Sequence, residues 1–450
     1  MAAKVVLEMV ETTERDMIKT IQIDRFKSLR HTLPAEMGRV TLLTGANGRG
    51  KSSFCQALLV LSQTWRRGWM DNLLPNGVWK NLGEYDDIVN AFDQDKTIGV
   101  HITTDAELDN DYMLLFKKDT DTPSVGEVDS VRVNGRPIHD DSGSSDDGSS
   151  DDEDGDDGSE DILLASLSDF PSLMSLQRMF YVAAERVAAP EGQPIDEATP
   201  FEYLTPNGSN VLKALWMNRE SGCIEKVQEL LERILDGGGL RLETDGSRLS
   251  LKINSVDDGS FYQPVNVGYG YSYILTLLTA MVLAPNDSFI IVENPEAHLH
   301  PAAQAKMMNE MITMAKERRI QLIVETHSDH ILNTSLRAVK EHRLDLKDLQ
   351  VLFFSNHTDD EGHVEARVQN LELNQLGHIL NPPKQFFEQY SIDLRALYAP
   401  PSRHEWMSVL LWQPSAMMNC GRLSVIIDRF SPVCVMAFWY WKEVERLLGE

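Results

Sequence analysis

Residues 45–53 read GANGRGKSS and directly follow the apolar run Val40-Thr41-Leu42-Leu43-Thr44. Gly45 to Ser52 fit the spacing GxxxxGK[ST] in full. That spacing suits a phosphate group. The glycines let backbone N–H groups turn inward, Lys51 can reach the terminal phosphates, and Ser52 can ligate a divalent cation. Asn47, Gly48, Arg49, Gly50, Lys51, Ser52 and Ser53 are therefore the candidate binding residues.

Two further stretches carry side chains fit for chemistry. SFIIVENPEAHLHP, residues 288–301, is a short apolar strand ending in Glu293-Asn294, with Glu296 two residues on. A carboxylate at the tip of a buried strand beside a phosphate loop can hold a Mg²⁺ ion, so Ser52 and Glu293 form the candidate metal set. IQLIVETHSDH, residues 320–330, is another apolar strand, and His327 stands just past its end. An imidazole there can donate to a γ-phosphate or an attacking water. A fourth stretch, NVGYGYSY at residues 266–273, opens an apolar run with Gly268, Gly270 and Ser272 but has no lysine.

These groups need scaffolding, and the pattern supplies it. Residues 17–24 and 39–44 read as strands, and residues 52–65 as a helix. The phosphate loop thus joins a strand to a helix. Residues 97–103 and 112–116 read as further strands, 210–235 as one helix broken by Gly237-Gly238-Gly239, 241–253 as strand, and 302–317 as a helix. The helix at 302–317 makes a βαβ unit that places His327 on a strand tip next to Glu293.

The order is phosphate loop, glycine/serine helix start, acidic strand tip, LHP turn, then histidine. It resembles ABC-type ATPase heads. IQIDRFKSL, LLTGANGRGKSS, VENPEAHLHP and VETHSDHIL resemble the ABC-like ATPases of prokaryotic defence operons, the "AAA family ATPase" group that includes the OLD, Septu and PARIS types. The resemblance covers residues 17–95 and 245–335. It implies an α/β fold, a P-loop NTPase head of ABC type whose mixed sheet is flanked by helices, with an inserted middle region and a C-terminal extension. The expected divisions are 1–95 and 246–381 for the two lobes of the head, 96–245 for the middle region and 382–450 for a docking or packing segment.

The resemblance also implies ATP and Mg²⁺ as cofactors, and an ATP sandwich between two copies. Lys51 and Ser52 of one copy would bind the nucleotide, while Gly268, Gly270 and Ser272 of the other cap its γ-phosphate. It implies a homo-oligomer, a separately encoded effector protein from the same operon and a phage-derived protein as trigger. His298 and His300 form an HxH pair, and a contact across the dimer suits them better than a metal site with no third ligand.

One departure bears on rate. The family's acidic strand tip ends in Asp-Glu, whereas Glu293-Asn294 stands here. Asparagine cannot accept a proton, and loss of a general base costs about 10²–10⁴ in rate. Either hydrolysis is slow, or Glu296 or the His327 region supplies the base. The expected glutamine loop is not evident at residues 81–89, and Glu185-Arg186 reads as a structural ion pair.

Composition bounds the partners. The net charge is −27, and residues 140–161 alone contain 12 acidic and no basic residues. That tract reads as a disordered, solvated insertion. The remainder is still acidic, which argues against a broad DNA-binding face. Four cysteines without CxxC spacing indicate neither a disulfide framework nor a zinc site. The longest uncharged apolar run near the C-terminus, residues 430–441, falls short of the roughly 20 residues a membrane span needs. A reducing cytoplasm with no membrane contact is the expected setting. Rival expectations are a DNA-repair ATPase of the SMC/RecF kind, a transporter ATPase subunit and an almost inactive ATP-binding scaffold.

Overall fold

The computed structural model describes residues 16–66, 72–138, 170–190, 192–195, 203–246, 248–255, 259–359, 362–383 and 386–387. The acidic tract 140–161 and nearly all of the C-terminal segment lie outside these residues. Two units are distinguished, Met1–Pro383 and Lys384–Glu450. In the second, only Phe386 and Phe387 are described, their rings edge-on at 5.0 Å.

In the first unit the chain begins with β1 (Ile18–Phe26), β2 (Leu29–His31) and β3 (Ala35–Glu36), then enters β4 (Val40–Gly45) and helix α1 (Lys51–Trp65). β5 (Asn72–Leu73), α2 (Tyr85–Ile88), β6 (Ile98–Thr104), β7 (Asp111–Lys118), β8 (Gly126–Val133) and β9 (Arg136–Pro137) follow. Strands β2-β1-β6-β7-β8-β5 form an antiparallel sheet, with β3 on β1 and β9 on β8. Its inward face is written in alternation: Ile98, Val100 and Ile102 on β6 and Tyr112, Leu114 and Phe116 on β7 are all buried. β6 pairs with β1, so the division expected at residue 95 runs through the middle of this sheet.

After α3 (Met174–Gln177) come β10 (Phe180–Val182), β11 (Gly192–Pro194), α4 (Val211–Met217), α5 (Cys223–Leu235), β12 (Gly239–Asp245), β13 (Arg248–Asn254), α6 (Tyr269–Leu283) and β14 (Phe289–Glu293). The chain continues with α7 (Pro301–Glu317), β15 (Gln321–Glu325), α8 (Asp329–Lys340), β16 (Leu349–Thr358) and β17 (Val364–Asn370). A second sheet has the order β10-β14-β15-β4-β16-β17, and all its strands run parallel except β17. β14 and β15 are buried at every position, as continuous apolar runs covered on both faces should be. A small third sheet is ordered β11-β13-β12.

Helix α1 contacts β1 and β5 of the first sheet and β4 of the second. That position explains why it is buried nearly all round, from Phe54 and Cys55 through Trp65. Each such large apolar side chain contributes about 1.5–3 kcal/mol on burial. The helix carrying the phosphate loop is therefore fixed from two sides.

The single helix expected over 210–235 is two helices. The break falls at Asn218–Gly222, where Gly222 has φ 76°, so the chain turns before α5 starts. The strand expected over 241–253 is the β12–β13 hairpin, turning at Gly246. No helix among the described residues is long and apolar enough to cross a membrane.

Candidate functional site: a phosphate loop over a carboxylate pair

β4, β14 and β15 are parallel neighbours, so their C-terminal tips lie together at one edge. Register sets Glu293 opposite Glu325, and Glu325 opposite Leu43. Residues separated by hundreds of positions are thereby placed within one side chain's reach of the phosphate loop.

The loop turns through Gly45 at φ 128°, Gly48 at φ 70° and Gly50 at φ 97°. A Cβ on Gly45 would stand 2.3 Å from the Phe354 carbonyl oxygen. One on Gly50 would stand 2.6 Å from the Ala366 Cβ, so neither position admits a side chain. Ala46, Asn47 and Gly48 are exposed, and Arg49 is half-buried. Lys51 is 3% exposed. Its ammonium donates to the carbonyls of Gly45 (2.9 Å) and Ala46 (3.0 Å) and lies 4.0 Å from Glu325. Burial lowers its pKa, and Glu325 opposes that shift.

The two carboxylates differ. Glu293 Oε2 accepts from the Tyr181 hydroxyl at 2.8 Å and the Ala184 amide at 3.2 Å. Glu325 accepts from Ser52 Oγ on both oxygens, at 3.1 and 3.3 Å. Burial first, and then the neighbouring Glu293, push the Glu325 carboxyl up to about 7. Buried like charges repel, and such a pair becomes favourable when a cation sits between them. Ser52, Glu293 and Glu325 thus fit a Mg²⁺ ion beside a phosphate loop.

Asn294 takes φ 45° and donates its amide to the Glu325 carbonyl at 2.8 Å. Its side-chain Oδ1 is buried without a hydrogen-bond partner. Glu296 accepts on both oxygens, from Thr326 Oγ1 at 2.9 Å and the His327 amide at 2.8 Å. It clasps the turn that carries His327. The His327 residue is exposed; partial burial lowers its pKa, and Lys51 lowers it further.

Sequence reasoning left three residues without a role here. Glu325 closes Leu322-Ile323-Val324-Glu325 just as Glu293 closes Ile290-Ile291-Val292-Glu293, and that repeated pattern was the available signal. Tyr181 and Arg186 come from more than 100 residues upstream of Glu293. Arg186 is 4% exposed and corrects the expected ion pair. It donates to the carbonyls of Ala183 (2.9 Å), Glu293 (2.8 Å) and Asn294 (2.7 Å), and locks the strand tip instead.

The start of α6 is a different surface. Gly268 caps the helix, and Tyr269 is 66% exposed. Ser272 is 1% exposed. Tyr269 and Tyr273 gather around His298, with ring centroids 5.9 and 4.4 Å from it. A Cβ on Gly270 would stand 2.9 Å from the His298 carbonyl, so the close approach of α6 to this turn requires glycine. His300 caps α7, its ring accepting from the Ala302 amide.

Residues 123–333 match the family described as "AAA domain, putative AbiEii toxin, Type IV TA system". The match takes in Glu293, Glu296, Glu325 and His327 and begins after the phosphate loop. No curated protein matches the chain. Among solved structures, the chain resembles an Smc head bound to the C-winged helix domain of ScpA, at 16% identity and TM-score 0.47, over 80% of this chain and 98% of that one. It resembles the SMC head domain from Thermotoga maritima at 13% identity and TM-score 0.40, over 79% and 99%. It also resembles an Smc head with an extended coiled coil bound to the C-terminal domain of ScpA derived from Pyrococcus furiosus, at 13% identity and TM-score 0.45, over 85% and 99%. Residues 123–333 thus resemble an AAA-type domain, and the phosphate loop that precedes them stands at the tip of a central parallel strand of an α/β fold.

Proposed function

We propose that this protein binds ATP with Mg²⁺ at the phosphate loop, hydrolyses it slowly, and uses the bound state to close against a second copy. In that reading it is a sensor or scaffold that controls a separately encoded effector, a nuclease or toxin, in anti-phage defence, with a phage protein as trigger. The observation that carries the nucleotide reading is the convergence of Lys51, Ser52, Glu293 and Glu325 at three adjacent strand tips. The loop from Ala46 to Gly48 is exposed and would offer its N–H groups to the phosphates, and the N-terminus of α1 would add its dipole.

Within that site each residue has a task. Lys51 would leave the Gly45 and Ala46 carbonyls for the β- and γ-phosphates. Mg²⁺, held by Ser52 and the carboxylate pair, would supply charge neutralisation on the phosphate oxygens. Tyr181 and Ala184 fix the orientation of Glu293, and Arg186 fixes its backbone. Slow turnover is supported by two facts. Asn294 stands where a base is expected, and both oxygens of Glu296 are engaged by the His327 turn. Glu296 then acts by holding His327 toward the loop. The words "toxin" and "TA system" in the matched family's description favour defence over DNA repair or transport.

The test is ATP turnover together with oligomeric mass, for the native chain, Lys51→Ala and Glu296→Gln. Slow turnover with an ATP-dependent rise in mass, lost in Lys51→Ala, is expected. A mass indifferent to ATP would remove the sandwich. Fast turnover abolished by Glu296→Gln would make Glu296 the base.

A further inference from the structure

The carboxylate pair has a third neighbour that the ATP reading does not use. Cys55 lies one helical turn after Lys51 on α1 and is 0% exposed. Its Sγ and one oxygen each of Glu293 and Glu325 all lie within 4.8 Å of one another, and all three residues are buried. Among the described residues Cys55 Sγ has no hydrogen-bond partner, although it faces two carboxylates. Both hydrogen bonds to Glu293 fall on Oε2, which leaves Oε1 free of them among the described residues.

A cysteine that serves only as a small apolar filler has no reason to face two buried acids. Two carboxylates and a thiol are, by contrast, a donor set. We propose that Cys55, Glu293 and Glu325 bind a thiophilic divalent cation of the zinc class in the nucleotide-free protein. Thiolate sulfur selects against Mg²⁺, which takes oxygen ligands, and favours zinc-like ions. Around such an ion, sulfur and oxygen donors at roughly 2.3 and 2.1 Å stand about 3.5 Å apart. The present spacing, within 4.8 Å, closes to that with side-chain shifts of about an ångström. On binding, the thiol releases its proton to water and the sulfur lone pair enters the metal bond. Burial and the two glutamates push the free thiol's pKa up, so without a cation the group stays neutral. Cysteine spacing along the sequence gives no hint of this site, because only one of its ligands is a cysteine.

The proposal concerns the chain without nucleotide, so its test is independent of ATP binding. The full chain with Cys223, Cys420 and Cys434 replaced by serine would be titrated with Co²⁺ in nucleotide-free and Mg²⁺-free buffer. The thiolate-to-cobalt charge-transfer band is the readout. The expected result is a band that saturates at one ion per chain, is absent in the further variant Cys55→Ser, and needs at least tenfold more Co²⁺ in Glu325→Gln. Excess Mg²⁺ should not remove it, and one equivalent of Zn²⁺ should. In the native chain, alkylation mapped to Cys55 should slow at least tenfold with Zn²⁺, which covers the case where the serine variants do not fold. No band in a folded Cys55-only chain, a band that survives Cys55→Ser, or alkylation of Cys55 indifferent to Zn²⁺ would each overturn the proposal.

Discussion

Two helices in this protein begin at glycine-rich turns, and their surroundings are opposite in kind. α1 begins with Gly50-Lys51-Ser52 over two buried carboxylates, sunk between two sheets. α6 begins with Gly268-Tyr269-Gly270 on an aromatic surface, with no cation in its first turn. Both starts offer backbone N–H groups to an anion. Only the first adds a movable ammonium and a place for a metal, so only the first can hold a triphosphate by itself. In the proposed sandwich the second would complete a site that another copy has already filled. A helix N-terminus is thus a generic device, and its surroundings decide whether it anchors or caps.

The comparison breaks most sharply at Lys51. Lys51→Ala should weaken ATP binding about a hundredfold, since charge-assisted contacts worth about 3 kcal/mol disappear. Fluorescent-nucleotide titration measures this. Equal affinity in the variant would mean that α1 anchors no better than α6.

The next effect lies in the carboxylate pair. Glu325 holds its proton up to about pH 7 in the folded chain, against 4.5 ordinarily. The folded chain therefore binds more protons than the unfolded one between those values. Stability of the nucleotide-free protein should fall as pH rises from about 4.5 to about 7, by on the order of 3 kcal/mol. Urea melts across that window should show the fall, and Glu325→Gln should flatten it. A parallel slope in the variant would show that the pair is not the source.

A smaller effect is expected at the capping helix. Tyr269→Ala should leave nucleotide affinity unchanged while weakening ATP-dependent self-association about tenfold, as loss of an exposed aromatic anchor of about 1.4 kcal/mol does. Sedimentation at several concentrations separates the two quantities. Unchanged association would place the sandwich contact elsewhere.

An effect of similar size concerns the link between strand tips. Glu296→Ala frees the Thr326 hydroxyl and the His327 amide, and should cost about 1–2 kcal/mol of stability. Glu296→Gln keeps one acceptor and should cost less. Equal losses in thermal melts would mean that the clasp is held by charge rather than by hydrogen bonding.

Local pattern was enough for much of this. The loop, the strand before it and the helix after it are legible because glycine, lysine and serine have few other reasons to stand at that spacing. β14 and β15 are legible because both are apolar runs that stop at an acid. The break at Gly222 was not, since residues 210–235 keep helical periodicity across it. The burial of Ser272, 1% exposed, was not legible either, because it depends on what packs against the start of α6. Glu185-Arg186 reads as a structural ion pair, whereas the Arg186 guanidinium is fixed by carbonyls on β10's exit and β14's tip.

By itself the sequence determined that a phosphate loop opens a helix, that two apolar strands end in glutamate, and that asparagine follows the first of them. These are properties of residue type and short spacing. Only the tertiary structure decided that Glu293 stands in register with Glu325, that Cys55 faces both, and that Glu296 is occupied by the His327 turn. Those facts come from the register of β14 on β15 and from the pairing of β15 with β4, which lies far off in the chain. Hydrogen-bond register fixes that pairing, and no local pattern encodes it.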